Sequence, residues 1–324
     1  MKFSQYHVLV LFFALLVSSC SIDDDEELLG QFPEEPVNFE AINSVYDDYN
    51  SASPYYLYQQ FPYLFSSNRG SSGGEFDIVN FIVEYYYIED TEEAIFDILD
   101  YGVSSYDSIL TRINTSSNEF GPYIMYSRDY LYDFLFYATD SAGNLDIGYS
   151  EHSVYEDTWE DPIRLDKINT EFNEAYPSFT SDQGEMYFCS DKNGDYDIYK
   201  VGLSGYSVST WLKTEDLPAW TNCDILNSSG EDKCPYINGN LMVFASNREG
   251  GYGGYDLYYS EFINGSWTEP INFGEKINTE YDEFRPIAIY AGYYVNDVML
   301  FSSNRPGGLG GFDLYYVGIP KLIL

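Results

Sequence analysis

One pattern of residues recurs five times along this 324-residue chain, and it restricts the possible folds more than any other feature. Its clearest copy opens Ile277-Asn278-Thr279-Glu280-Tyr281-Asp282-Glu283-Phe284-Arg285-Pro286. An apolar strand ending Leu300-Phe301-Ser302-Ser303-Asn304-Arg305 follows, then glycines, then Phe312-Asp313-Leu314-Tyr315-Tyr316. Pro54, Pro122, Pro177, Pro235 and Pro286 mark the successive units, and Asp77, Asp146, Asp197, Asp256 and Asp313 recur in step with them. Periods of tens of residues signal stacked units that cannot bury their own apolar faces alone. Each unit holds short runs rich in Tyr, Phe, Ile and Val between Gly, Asn and Asp, which are strand and hairpin signals. A four-stranded unit of this size is a propeller blade, and radial packing of blades hides both faces and edges. The expectation is therefore an all-β propeller of five four-stranded blades, with six as the alternative.

The ambiguity lies in the long first unit. Asp90-Thr91-Glu92-Glu93, followed by Ile95, Ile98 and Leu99, reads as a short capped helix or a degenerate sixth blade. The chain ends at Leu324, just after a third strand, while Glu35-Pro36-Val37-Asn38-Phe39-Glu40 matches the outer-strand segment Glu269-Pro270-Ile271-Asn272-Phe273-Gly274. The N-terminal strand is thus expected to complete the last blade.

Two strings carry a family resemblance: Tyr176-Pro177-Ser178-Phe179-Thr180-Ser181-Asp182-Gln183-Gly184-Glu185-Met186-Tyr187-Phe188 and Gly254-Tyr255-Asp256-Leu257-Tyr258. They resemble the WD40-like PD40 repeat of the TolB propeller and of many envelope proteins of Bacteroidetes. The resemblance spans nearly all of residues 35–320. It implies a non-catalytic propeller that docks other envelope components.

Residues 1–19 are laid out as an export signal, with Lys2 before the apolar run Val8–Val17. That run is too short for a bilayer, which needs about 20 apolar residues. Val17-Ser18-Ser19-Cys20 resembles a lipobox, so Cys20 is the expected lipidation site and the membrane attachment. Residues 20–34, with Asp23-Asp24-Asp25-Glu26-Glu27, form an acidic tether, and residues 35–324 the propeller. Ser21 after the cysteine resembles outer-membrane sorting, and the acidic run resembles a signal for display at the cell surface.

Charge and composition narrow the chemistry. A net charge of −38, from 53 acidic and 15 basic residues, excludes nucleic acid as a partner and attracts basic peptides or divalent cations. His7 lies in the signal, leaving His152 alone, so a zinc site or a Ser–His–Asp triad has no basis. No metal and no cofactor is expected. Asp191-Lys192-Asn193-Gly194-Asp195 has the look of part of a calcium loop, but its counterparts carry Asn-Arg, which favours a hairpin turn. Most tyrosines fall at repeat positions such as Tyr199, Tyr258 and Tyr315, where packing explains them. Cys223 and Cys234 bracket a polar loop and are either a disulfide or two free thiols, while Cys189 is a buried small residue.

The pattern with most functional promise is acidic and opens each unit: Asp48, Glu119, Glu174, Asp232 and Glu283. In a propeller these carboxylates enter the innermost strands on the face that also carries Arg69, Arg248 and Arg305. They either pair with those arginines or form an electronegative mouth for a basic partner, with Glu119 left free because its loop lacks an Arg. Trp211 and Trp220, in the irregular segment Tyr206–Lys233, and the segment Glu89–Ile109 are further recognition candidates. The expected function is a non-catalytic protein-interaction scaffold for envelope proteins at the outer membrane. The alternative is a carbohydrate-binding protein or glycosidase, since five-bladed propellers hydrolyse glycosides with carboxylates alone. Its mark would be a sugar-sized pocket at the channel mouth with Trp or Tyr beside a carboxylate pair.

Overall fold

The computed structural model describes residues 30–88, 93–99 and 104–321. The expected signal, Cys20 and most of the acidic tether lie outside these residues. Five antiparallel sheets form the blades of one propeller. Their innermost strands are Asp48–Ala52, Glu119–Tyr126, Glu174–Phe179, Asp232–Asn238 and Glu283–Ile289. Each is followed outward by two further strands and an outer one, as in Asp232–Asn238, Leu241–Ser246, Asp256–Ile263 and Ile271–Asn272 of blade 4. Apolar residues of neighbouring sheets interleave, so most of the core lies between blades, with Phe65, Phe136, Phe188, Phe244 and Phe301 fully enclosed.

Among the described residues, the outer strand of the last blade is Val37–Asn38, which pairs with Tyr316 and Tyr315. Phe39 then donates its N–H to Leu314 and buries its ring. A ring closed this way has no exposed seam.

The Asn of each Ile-Asn-Thr-like turn explains why that residue repeats. Asn43, Asn114, Asn169, Asn227 and Asn278 each accept from the backbone N–H, and donate to the C=O, of one Leu or Ile in the preceding blade's third strand. For Asn169 and Ile147 both bonds are 2.8 Å. A side-chain amide so placed mimics one more strand residue and fixes the angle between blades.

Three readings are corrected. Glu93–Ile98 is the outer strand of blade 1, paired with Val83–Ile88, and the helix of this region is Tyr106–Ile113. Ala94 and Phe96 are buried while Asp97 is exposed, a period of two that the cluster of leading acids obscured. Pro54 is not the counterpart of the other four prolines. Ser51 occupies that position, one residue after Asn50, just as Pro122, Pro177, Pro235 and Pro286 follow Gly121, Tyr176, Cys234 and Arg285. Finally, Cys223 and Cys234 are free thiols in separate apolar clusters, and it is Cys189 that shares a cluster with Cys234.

Candidate functional site: a tyrosine-lined pocket at one end of the axis

The five repeated carboxylates stand at the starts of the inner strands, as expected, but they face inward. Asp48, Glu119, Glu174, Asp232 and Glu283 have no exposed surface. Each closes its own turn by accepting from the backbone N–H four residues earlier. Thr115, Thr170 and Thr279 serve the three glutamates, and Ser44 and Ser228 the two aspartates. Arg69, Arg248 and Arg305 then pair with Asp48, Asp232 and Glu283 at 2.6, 2.5 and 2.9 Å. Glu119, opposite a loop without Arg, is not free: it takes hydroxyl bonds from Thr115 and Thr139 at 2.8 and 3.2 Å. Burial pushes the carboxyls of Glu119, Glu174 and Glu283 above the ordinary glutamate range. These groups therefore fasten each inter-blade turn to the start of the blade it enters and present nothing to a partner.

Trp211 is buried on the short helix Val208–Leu212, with Lys167 over its ring. Trp220 is half-buried, edge-on to Phe188 and beneath Lys192. In the calcium-like loop, the Asp191 carboxylate accepts from the backbone and side chain of Asn173, the bonding of an inter-blade turn.

A different site emerges at the opposite end of the axis, where the inner strands finish. A cavity of about 370 Å³ opens between the inner strands of blades 2, 3 and 4 and the loop that joins the first two strands of blade 1. Tyr55, Tyr123, Tyr126, Tyr130, Phe179 and Tyr236 supply its rings. Ser127, Arg128, Thr180, Ser181, Gln183 and Asn238 supply its polar groups, and no Asp or Glu lines it. Its volume falls within the usual range for small-molecule sites, about 300–1,000 Å³.

The walls are held firmly. The Tyr123 hydroxyl accepts from the Phe179 N–H at 3.1 Å, Asn238 donates to the Tyr55 and Ala288 carbonyls, and Gln183 donates to the Tyr126 carbonyl. Burial pushes the hydroxyls of Tyr55, Tyr123, Tyr126 and Tyr236 above the usual tyrosine range, so they stay protonated donors at neutral pH. Tyr130 caps the rim on a tight turn in which Ser127 and Tyr132 exchange backbone and hydroxyl bonds. Its φ of +57° is a conformation bulky residues rarely adopt, and its ring is 71 % exposed. Gln183 takes the same conformation, φ +53°, at the matching position of blade 3, so this is the geometry of the turn, and in blade 2 it sets Tyr130 at the rim.

An adjoining cleft of about 480 Å³ shares Ser127, Arg128 and Gln183 with this pocket and brings Asp129 and Asp182 alongside. Both carboxyls are held below the usual aspartate range. Asp129 accepts from the Ser127 hydroxyl and the Leu131 N–H, and Asp182 from the Thr180 hydroxyl and the Gly184 N–H. Both are ionised at neutral pH.

Sequence reasoning missed this pocket. Its rings come from four blades and lie far apart in the chain, so each read as an ordinary strand aromatic. The one usable signal was Tyr130: the turn Ser127-Arg128-Asp129-Tyr130 repeats the bonding of Thr180-Ser181-Asp182-Gln183 in blade 3, but sets an aromatic residue where that turn has Gln183.

No family model and no curated protein matches the chain. Solved structures do. The catalytic domain of a family 62 α-L-arabinofuranosidase from Coprinopsis cinerea aligns with a TM-score of 0.52 at 13% identity, over 89% of this chain and 96% of that one. An exo-β-1,3-galactanase from Phanerochaete chrysosporium, solved with β-1,3-galactotriose, gives 0.53 at 12% identity, over 90% and 64%. A TolB-like protein from Agrobacterium tumefaciens gives 0.37 at 13% identity, over 80% and 71%. For the first two, the likeness at these identities is one of fold alone, the five-bladed propeller.

The expectation of a non-catalytic protein-interaction scaffold is corrected on two findings. The carboxylates assigned to its docking face are internal, and the two solved propellers above that share this fold at TM-scores of 0.52 and 0.53 are named as an α-L-arabinofuranosidase and an exo-β-1,3-galactanase. The expectation that the chain is not an enzyme loses its footing with it.

Proposed function

We propose that the chain is a carbohydrate-active propeller that takes a glycan in the tyrosine-lined pocket at the end of its axis. The observation that supports this most is the lining itself. In a chain with 53 acidic residues, this cavity is built from six aromatic rings, neutral donors and Arg128. Sugar rings present apolar C–H faces and equatorial hydroxyls. Aromatic faces pack on the former, and protonated tyrosine, serine and amide groups bond the latter. Asp129 and Asp182, ionised beside the pocket, suit the base or charge-stabilising role of a glycosidase, whose acid partner needs a raised pKa.

The finer sequence readings stand in the same proposal: a PD40-type repeat protein, lipidated on Cys20 and held at the outer membrane. There the pocket would meet extracellular or periplasmic glycans.

Screening the purified chain against a glycan panel, with an assay for released reducing ends, tests the reading. Binding that falls at least tenfold in Tyr130→Ala and Tyr55→Ala, both exposed rim residues, is the expected result. Reducing-end release lost in Asp129→Asn or Asp182→Asn would make the protein a glycosidase, and binding without release a carbohydrate-binding protein. Failure to bind any glycan would overturn the proposal.

A further inference from the structure

At its third residue each inner strand has a positive φ: Asn50, Gly121, Tyr176, Cys234 and Arg285. The ladder shifts register there in every blade, as between Phe284 and Ile287, so all five inner strands bulge at the same position. The side chains at this level fill the channel. The Tyr176 ring lies against blade 2, where a β-carbon added at Gly121 would sit 2.4 Å from it. Arg285 reaches across from blade 5 to donate to the Pro122 carbonyl at 3.1 Å.

Arg285 is the anomaly of the molecule. It is fully buried, yet only Nη2 has a partner, while Nε and Nη1 have none. Among the described residues no carboxylate pairs with it, whereas Arg69, Arg248 and Arg305 each hold one. A guanidinium remains charged in any protein environment. An uncompensated buried charge is strongly destabilising, so a fold that keeps one there requires a counter-charge.

The surroundings do not supply it. Tyr176 faces the guanidinium at 5.4 Å, and burial pushes the Tyr176 hydroxyl and the Cys234 and Cys189 thiols up, which leaves all three neutral. Asn50, at the same position of the neighbouring inner strand, is also fully enclosed; its amide atoms have no hydrogen-bond partner within 3.5 Å, the Tyr49 hydroxyl being the polar group beside them.

We propose that the propeller axis holds a small inorganic anion, chloride in ordinary solution, on Nε and Nη1 of Arg285 with the Asn50 amide as a further donor. A water molecule satisfies donors but brings no charge. A ligand carboxylate from the tyrosine pocket does not reach a side chain with no exposed surface. The anion therefore acts as an internal counter-ion that joins blades 1, 2 and 5 through Arg285, independently of what the pocket binds.

The test is a thermal-unfolding series on the full chain at constant ionic strength, replacing sodium gluconate stepwise by sodium chloride or bromide. Tm is expected to climb with the logarithm of halide concentration, as for any ligand that binds only the folded form. The climb should vanish in Arg285→Met. Should that variant not fold, crystals of the unaltered protein grown in bromide provide the second reading, an anomalous peak beside Arg285 Nε. Equal Tm in gluconate and chloride, with water in place of a bromide peak, would overturn the proposal.

Discussion

At the scale of single residues, this chain spends its most repeated polar groups on its own backbone. Asn169 shows what one such group contributes. Its amide serves both the N–H and the C=O of Ile147, inside the protein and away from water. Asn169→Ala strands both backbone groups, and a buried group left without its partner costs about 1–3 kcal/mol. Chemical denaturation of the variant should show a loss of about 2–4 kcal/mol with an unchanged m-value. Asn169→Asp should be nearly as damaging, because it keeps the acceptor and removes the donor. The acidic residue that opens each blade follows the same logic. Carboxylates ahead of a strand look like an electronegative mouth in sequence, but a Thr or Ser four residues earlier turns each one inward. The spacing Thr-x-x-x-Glu was visible in Thr279–Glu283 and Thr170–Glu174. Its meaning was not, because which way a carboxylate faces depends on the turn between blades.

Among elements, the blades were readable and the details of their inner strands were not. Alternating aromatic and β-branched runs, glycine hairpins and the spare outer-strand segment all follow from local chemistry, and they define five sheets and their closure. The bulge at Gly121, Tyr176, Cys234 and Arg285 resists such reading, since a residue before proline ordinarily favours extended backbone. Only the packing of five strands around one axis holds those residues at positive φ. The pocket escaped for a related reason: no single element contains it. The closing strand makes the sharpest prediction at this scale. Removing every residue before Glu40 takes away Val37, Asn38 and Phe39 and exposes the Asp313–Ile319 edge. The truncated protein should melt several degrees lower and elute as oligomers in size-exclusion chromatography, because an unpaired edge recruits another. A monomeric product with unchanged Tm would show that the strand adds nothing to closure.

For the molecule as a whole, charge decides how stability follows pH. Burial raises the carboxyls of Glu119, Glu174 and Glu283, and also those of Asp77, Asp133 and Asp197, above their ordinary values. The folded form therefore binds these protons more tightly than the unfolded chain does. Stability from such groups is complete below the unfolded pKa and is lost as pH rises through the folded one. Acidification also relieves the self-repulsion of a chain with net charge −38. Tm should accordingly rise as pH falls from about 7 to about 5. Asp129, Asp182 and Glu231, which are held low, reverse the trend only under stronger acid. A Tm that falls over the same interval would mean that these depressed groups, and not the buried ones, dominate.

The way the ring closes also fixes how it would fail under load. The chain enters through Phe32, whose N–H meets Asn296, and through Pro33, whose carbonyl meets Gly318, before the closing strand begins. A pull on the N-terminal side peels these contacts one at a time instead of shearing them together. The last blade would lose its outer strand first, while the other four, each stitched from a continuous stretch of chain, stay whole. A propeller closed this way yields to tension in a graded manner, beginning at the joint between its two ends.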